Sequence, residues 1–360
     1  MTDIDQPTDD DRRERLTATV PPPRRWVRAP GRVNLLGDHT DYHDGLVLPM
    51  AIDRDCIVAY TGDPDRDGLL AHTLDGPDAL LAPFVDAAQR ILSLGPDRPS
   101  GALTLSSTVP IGAGLASSAA ICVGLVGVLE PDLLSDPSAL ACTARDVEVA
   151  ATDVRGGLMD QLTSAAGIAG HALRIDCADW SIEPLPLPSE LGVVVVHSGQ
   201  PRVLARSPYA DRREASIAVA RRLGLRSLRE ARLDQVADEP LGRHVVSENG
   251  RVDDAVGALR GNDVGRLGEL MAASHASLRD DYQVSTPELD RLVELLAEEG
   301  AAGARLTGAG FGGCVVAATT ADVAASVGQR AAGRYARETE LSPAVYVPRA
   351  VDGARELPWG

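Results

Sequence analysis

The stretch GRVNLLGDHTDYHDG, residues 31–45, decides how this sequence is interpreted. Apolar residues lead into it, and glycine turns stand at both of its ends. Between them lie side chains that donate or accept hydrogen bonds: Arg32, Asn34, Asp38, His39, Thr40, Asp41, Tyr42, His43 and Asp44. A buried strand would not carry so many polar groups, and a plain surface loop would not need the apolar approach. The pattern therefore indicates a turn that presents polar groups to a hydroxylated ligand.

The composition restricts the class of protein. The chain has 360 residues, of which 44% are hydrophobic, enough for one large domain or two of ordinary size. Its formal net charge of −17 repels phosphate backbones and anionic membranes, so we expect neither a nucleic-acid nor a membrane partner. We find no run of about 18 apolar residues and no apolar leader at the N-terminus. We therefore expect a cytoplasmic protein.

Two residue types exclude further classes. The sequence contains no lysine, and the Walker phosphate loop is excluded because it requires one. Five cysteines are scattered along the chain without a CxxC or Cys/His cluster. This spacing indicates neither a zinc site nor a disulfide framework.

The chain divides into a polar start and two larger segments. Residues 1–20 are charged and precede PPPRR, so we expect a disordered tail. Residues 21–187 read as strands and helices, and a proline-rich stretch, EPLPLPSE, marks a boundary near residue 187. Residues 188–360 begin with a buried strand and continue mainly as helices. We predict an α+β fold with two lobes, and we consider that the final strand, AVYVPRA at residues 344–350, returns to the first lobe.

A second informative segment is VPIGAGLASSAA, residues 109–120, in which glycines and small residues lead directly into a helix. Free backbone N–H groups at a helix start, together with the helix dipole, suit a phosphate group. Ser117 and Ser118 add hydroxyls that can bind phosphate or Mg²⁺. A tight strand–helix junction with a serine cap explains this segment equally well when it is considered alone.

Two shorter segments have similar alternatives. GGLMDQL, residues 156–162, places Asp160 just after a glycine pair at a helix start, where an ordinary acidic residue is also favoured by the helix dipole. LTGAGFGGCVVA, residues 306–317, reads as a glycine-rich turn between two strands. A simple hairpin that needs positive φ angles accounts for it as well.

Taken in order, these segments resemble the GHMP small-molecule kinases and, among them, the galactokinase family. The stretch that begins at residue 31 resembles the family's sugar signature, PIGAGLASSAA its phosphate loop, GGLMDQ its catalytic-aspartate segment and TGAGFGGC its C-terminal glycine motif. The resemblance extends over roughly residues 25–350. It implies the two-lobed GHMP kinase fold, with mixed sheets and an active site in the cleft between the lobes. It also implies ATP as co-substrate, Mg²⁺ as cofactor and a monomeric enzyme.

The resemblance also implies roles for individual residues. Arg32 and Asp160 correspond to the catalytic pair, and Glu148, with Ser117, to the Mg²⁺ ligands. The substrate-binding positions are Asp38, His39, Asp41, Gly157 and Tyr209. The ATP-binding positions are Gly112, Gly114, Leu115, Ala116, Ser117 and Ser118.

The function that the resemblance implies is transfer of the ATP γ-phosphoryl group to the anomeric C1 hydroxyl of galactose, a step of carbohydrate metabolism. Two alternatives remain open: an anomeric kinase for another monosaccharide, and a non-catalytic sugar sensor on the same fold. Two departures from the family pattern bear on the sugar, because Asp38 stands where the family has Glu and His43 where it has Asn. The residues implied in catalysis and metal binding argue against the sensor, since binding a sugar does not require them.

Overall fold

The computed structural model describes residues 7–19, 25–63, 65–92, 100–200 and 208–358. The helices are α1 (Asp9–Thr19), α2 (Ala82–Ile91), α3 (Ser117–Leu129), α4 (Pro137–Thr152), α5 (Met159–Ala166), α6 (Pro208–Arg222), α7 (Pro240–Arg260), α8 (Val264–Asp280), α9 (Pro287–Glu298) and α10 (Ala324–Thr339). The strands are β1 (Arg25–Asn34), β2 (Leu46–Val47), β3 (Pro49–Gly62), β4 (Leu69–Thr73), β5 (Gly101–Ser107), β6 (His171–Asp176), β7 (Ser181–Pro186), β8 (Leu191–His197), β9 (Gly303–Thr307), β10 (Cys314–Thr320), β11 (Ala344–Tyr346) and β12 (Arg355–Glu356).

The strands form three sheets. One has the order β12-β1-β3-β5-β4, the second β11-β8-β10-β9 and the third β2-β6-β7. The pairing of β4 with β5 is parallel, whereas β1 and β3 form a long antiparallel pair with an irregularity between Pro30 and Arg32. The expected mixture of sheets with a mainly helical segment after residue 207 is confirmed. The division of the chain after residue 187 stays a prediction.

Among the described residues, the three larger of four apolar clusters hold these layers together. One lies between the five-stranded sheet and helices α2–α5, and includes Val58, Leu103 and Val123. The second joins the ends of β1 and β3 to β10, α7 and α8, and the third packs α6, α9 and α10 on the four-stranded sheet. Leu35 and Leu36, which lead into the polar stretch, belong to the second cluster. The apolar approach noted in the sequence therefore anchors that stretch in the core.

The predicted disordered tail is wrong for residues 9–19, which form helix α1. Arg12 is 2% exposed, and its Nη1 lies 2.6 Å from Asp55 Oδ1, while Leu16 packs fully buried beside Trp26. Of the two buried residues of this helix, one is an arginine. A hydropathy pattern counts arginine as exposed, so the sequence showed no buried face for the helix. Residues 1–6 and 20 of the predicted tail lie outside the described residues.

The end of the chain differs in detail from the prediction. Of the expected strand, Ala344–Tyr346 forms β11 and pairs with β8. Ala350, at the end of that stretch, forms an antiparallel bridge with Ile52 of β3, so the expected return to the five-stranded sheet begins there. Arg355–Glu356 then pairs with β1 of the same sheet. None of the helices that the structure describes is long and apolar enough to cross a bilayer.

Candidate active site

Residues distant in sequence meet in one cleft. Its walls come from the end of β1 and the segment after it, the glycine loop before α3, helix α4, the start of α5, the start of α6 and the turn after β9. The cleft-lining residues that the sequence predicted are Arg32, Asp38, His39, Asp41, Gly112, Gly114, Ala116, Ser117, Ser118, Glu148, Gly157, Asp160 and Tyr209. Leu115 is the one predicted site residue that does not line it, since its side chain is buried in the second apolar cluster.

The glycine loop has the backbone expected of a phosphate-binding turn. Gly112, Gly114 and Ala116 all have positive φ, and helix α3 begins immediately afterwards at Ser117. Ala116 has a φ of 61°, which is uncommon for a residue with a Cβ atom. The loop thus turns the N–H groups at the start of a 13-residue helix toward the cleft.

Arg32 connects this loop to Asp160. Its Nη1 donates to the carbonyl oxygen of Gly114 at 2.6 Å, and its Nη2 lies 2.7 Å from Asp160 Oδ1. The Arg32 side chain is 4% exposed, whereas that of Asp160 is 34% exposed. A fixed cation therefore stands between the glycine loop and a carboxylate that a ligand can reach.

Glu148 is held by two neighbours. Its carboxylate accepts hydrogen bonds from Ser118 Oγ and from Gln161 Nε2. Burial raises the pKa of Glu148 to about 7, and the charge of Asp160 acts in the same direction. Ser117 lines the cleft, but the serine that contacts Glu148 is Ser118. The resemblance implied Ser117 as the metal ligand beside Glu148, and that assignment stays a prediction.

The segment of residues 37–46, which we call the polar loop, supplies the next wall. Asp41 Oδ1 accepts from the backbone N–H of Tyr42 at 3.0 Å. Burial raises the pKa of Asp41 to about 7, and the nearby carboxylate of Asp160 adds to the effect. A Cβ atom on Gly157 would stand 1.9 Å from Asp41 Oδ2, so a glycine is required where the two segments meet.

Aromatic side chains support the polar loop. His39 Nδ1 lies 2.8 Å from the hydroxyl of Tyr42, which in turn lies 2.8 Å from the hydroxyl of Tyr282. The rings of His39 and Tyr209 are 5.8 Å apart. Burial raises the pKa of Tyr209 well above its ordinary value, so its hydroxyl stays protonated and can donate a hydrogen bond.

Asp38 lines the cleft, and its carboxylate also has protein partners. Its side chain is 2% exposed, and its Oδ2 pairs with Arg305. Its Oδ1 accepts from the backbone N–H of Gly308 at 3.1 Å. Both carboxylate oxygens are therefore engaged by the segment that contains the C-terminal glycine turn.

His43, the other departure from the family pattern, does not line the cleft. It is 1% exposed, and its Nε2 lies 2.8 Å from Ser216 Oγ on α6. Burial lowers the pKa of His43 to about 4, so the ring is neutral near pH 7. This substitution acts behind the site and not on a ligand in it.

Several residues at the site were missed by the sequence interpretation. Gln161 lies within the segment 156–162, and Arg305 directly precedes the segment 306–317. Their nearness to these motifs is the signal that could have identified them. Glu248 and His244, on α7, hydrogen-bond to the backbone of the polar loop. They are more than 200 residues from that loop, and no local pattern links the two segments.

Three family models match the chain. The model described as the galactokinase galactose-binding signature matches residues 14–61, and those for the N-terminal and C-terminal domains of GHMP kinases match residues 83–168 and 255–337. The galactokinase of Roseiflexus sp. (strain RS-1) is 40% identical, with 92% of each chain covered. The galactokinase of Haemophilus influenzae is 38% identical, with 93% of this chain and 95% of that chain covered.

Solved structures give the same result for the fold. The crystal structure of Lactococcus lactis galactokinase complexed with galactose has a TM-score of 0.85 and 27% identity, and the match covers 97% of this chain and 99% of that chain. L. major mevalonate kinase, in complex with R-mevalonate, has a TM-score of 0.67 at 20% identity, which supports the fold alone.

Proposed function

The chain belongs to the galactokinase family of GHMP kinases, and we propose that it transfers the γ-phosphoryl group of ATP to the C1 hydroxyl of galactose. The observation that carries the proposal is the contact of Arg32 with both the glycine loop and Asp160. This contact links the place suited to a phosphate with the place suited to a sugar hydroxyl. A sensor would need no such link, and so we propose an enzyme.

The glycine loop and the start of α3 are the proposed binding site for the ATP phosphates. Backbone N–H groups there and the positive end of the helix dipole favour negative charge. This local effect is needed because the whole chain carries a net charge of −17. For Leu115 only the backbone is available for this role, since its side chain is buried.

The proposed sugar site is formed by the polar loop and the residues facing it. His39, Asp41 and Tyr209 are assigned to sugar hydroxyls, and Gly157 leaves the space that the Asp41 carboxylate occupies. We assign Asp38 to positioning, because its oxygens already accept from Arg305 and Gly308. The same observation favours the alternative of a different monosaccharide, since one edge of the site lacks the longer glutamate of the family.

Phosphoryl transfer depends mainly on positioning and charge stabilisation, because its transition state is loose and its charge lies on the phosphoryl oxygens. Arg32 is placed to stabilise that charge while it remains fixed by Gly114. Asp160 is the more exposed partner of the pair, and we assign it to accept a hydrogen bond or the proton from the C1 hydroxyl. The two groups together orient the acceptor oxygen toward the phosphate.

The residues around Glu148 fit Mg²⁺. In the part of the chain that the structure describes, no group of three or more His, Cys, Asp or Glu side chains is placed to hold a metal. Mg²⁺ in kinases, however, is held by one or two carboxylates together with phosphate oxygens and water. Glu148 with Ser118 or Ser117 would supply such ligands, and the ion would neutralise phosphate charge. The buried Oε1 of Gln161 makes no protein hydrogen bond among the described residues and could accept one from a metal-bound water.

A coupled assay of ADP release over a panel of free monosaccharides tests this proposal. We expect galactose to give the highest kcat/KM. A higher value for a deoxy or amino sugar would support the alternative anomeric kinase, and no sugar-dependent ADP release at all would support the sensor.

A further inference from the structure

We propose that Glu248 is a positioning residue for sugar binding, and that helix α7 sets the conformation of the polar loop through three side chains. The inference rests on the proposed function, because it assumes that the polar loop contacts the sugar. The three side chains of α7 contact the backbone of the polar loop, and through it they would act on sugar binding.

Three side chains of α7 contact the backbone of the polar loop. Glu248 Oε1 accepts from the N–H of Gly37 at 2.9 Å, and Asn249 Oδ1 accepts from the N–H of Leu46 at 2.8 Å. His244 Nε2 lies 3.1 Å from the carbonyl oxygen of Asp38, so the ring donates through Nε2. His244 and Glu248, four positions apart, share a helix face, and Asn249 is the next residue around the helix. Helix α7 thus fixes both ends of the loop.

The polar loop needs such support because its backbone is unusual. Gly37 has a φ of 93°, and two residues with a Cβ atom, His39 and Asp44, also have positive φ. Backbone of this kind persists only where the surrounding structure holds it. His39 and Asp41, two and four residues after Gly37, line the cleft. A shift of the loop would therefore move the groups assigned to the sugar.

Glu248 is the centre of this support. It is fully buried, and besides Gly37 it accepts from Ser274 Oγ at 2.6 Å and from Arg251 Nε at 2.6 Å. Burial opposes its ionisation, but the cations of Arg251 and Arg305 hold the pKa of Glu248 at about 2. The residue is therefore a charged acceptor throughout the working pH range. A buried ion pair contributes little net stability. The role that we infer for Glu248 is therefore to hold the backbone of the polar loop in its conformation, and not to stabilise the whole fold.

The test compares Glu248→Gln with a matched control, Glu299→Gln. Glu299 is also a carboxylate paired with arginines, since Arg330 Nε and Arg334 Nη1 each lie 2.8 Å from it, but it does not line the cleft. We expect Glu248→Gln to raise the KM for galactose roughly tenfold or more, because Gly37 or Arg251 then faces an amide N–H. The KM for ATP should change by less than about twofold. Glu299→Gln should leave both values near those of the wild type.

Hydrogen exchange gives a readout that needs no substrate. The peptide containing residues 36–46 should exchange faster in Glu248→Gln than in Glu299→Gln, while peptides from β8 and β10 keep their protection. A galactose KM and a loop exchange rate equal to those of the control would overturn the inference. If Glu248→Gln does not fold, Asn249→Ala is judged by the same two criteria, since it removes only the acceptor for Leu46 N–H.

The two proposals fail in different ways. A wild-type protein that phosphorylates no galactose contradicts the proposed function, and the exchange experiment then still decides whether α7 holds the loop. A wild-type protein that is active on galactose, with a Glu248→Gln variant whose galactose KM is unchanged, contradicts only the inference.

Discussion

Arg32 and Asp160 form an ion pair, with Arg32 Nη2 lying 2.7 Å from Asp160 Oδ1, although the two residues are 128 positions apart. Arg32 is also bonded to Gly114, so it does not depend on Asp160 alone for its position. The exposed carboxylate is therefore free to interact with an acceptor hydroxyl while the cation stays in place.

The first prediction concerns Asp160→Asn. The amide keeps the volume and one oxygen for Arg32 but loses the charge, so turnover should fall by about 10²–10⁴-fold if Asp160 acts as a general base. The melting temperature should change little, because Arg32 keeps its bond to Gly114. Steady-state kinetics and thermal unfolding of the same preparation measure both. A folded variant with wild-type turnover would return Asp160 to an ordinary acidic residue at a helix start.

The second prediction separates the two serines of the glycine loop. Because Ser118 Oγ contacts Glu148, Ser118→Ala should raise the Mg²⁺ concentration needed for half-maximal activity more than Ser117→Ala does. Glu148→Gln should raise it as well, and more than it raises the sugar KM, since Mg²⁺ prefers carboxylate oxygens. Titration of nucleotide binding with Mg²⁺ gives a second readout. A larger effect of Ser117→Ala would restore the assignment made from the sequence.

How much of this site the sequence could predict depends on whether its residues lie within one motif. The glycine loop, the start of α5 and the polar stretch are local patterns, and the cleft contains all but one of the site residues taken from them. Asp38 lines the cleft as well, but its partner Arg305, which is 267 positions away, was missed. No local pattern specifies which of two distant charged residues will pair when the chain folds.

The helix at the N-terminus shows the same limit in the fold. Its sequence, DDDRRERLTAT, has almost no apolar face. It packs because Arg12 reaches Asp55 and donates through Nη2 to the carbonyl oxygen of Ser106 at 2.9 Å. A buried arginine depends on partners that only the assembled sheet supplies, so hydropathy alone predicted disorder.

The third prediction uses Gly157. In Gly157→Ala the new Cβ would lie 1.9 Å from Oδ2, 2.3 Å from Cγ and 2.8 Å from Cβ of Asp41, so the whole Asp41 side chain must shift from its place in the cleft. We therefore expect a folded protein whose galactose KM rises roughly tenfold or more, since a hydrogen bond to a charged group contributes about 1.5–3 kcal/mol. Gly156→Ala is the matched control, because a Cβ there meets nothing within 4 Å. Equal sugar KM values for the two variants would contradict the placement of Asp41.

The fourth prediction concerns pH. The pKa of Asp41 is about 7 in the folded protein, against an ordinary value of 3.8, because of burial and the neighbouring Asp160. Between these values the folded protein keeps a proton that the unfolded chain has released, so the contribution of Asp41 to stability falls as pH rises toward 7. Asn at position 41 does not titrate. The melting temperature of Asp41→Asn minus that of the wild type should therefore be larger at about pH 8 than at about pH 5.

Subtracting the melting temperature of the wild type from that of the variant at each pH removes the contribution of the other titrating groups. Glu148, whose pKa is also about 7, and His43, whose pKa is about 4, are present in both proteins. A difference in melting temperature that is the same at both pH values would show that Asp41 is ionised in the folded protein throughout this range.

The most direct test of the central claim is to identify the product that the wild-type protein forms from galactose, ATP and Mg²⁺. Nuclear magnetic resonance of the reaction mixture distinguishes a phosphate on C1 from one on C6, and the amount of sugar phosphate can be compared with the ADP released. We predict galactose 1-phosphate in an amount equal to ADP, formed about 10²–10⁴-fold more slowly when Asp160 is replaced by Asn. ADP release without a sugar phosphate, or a phosphate found on C6, would contradict the account.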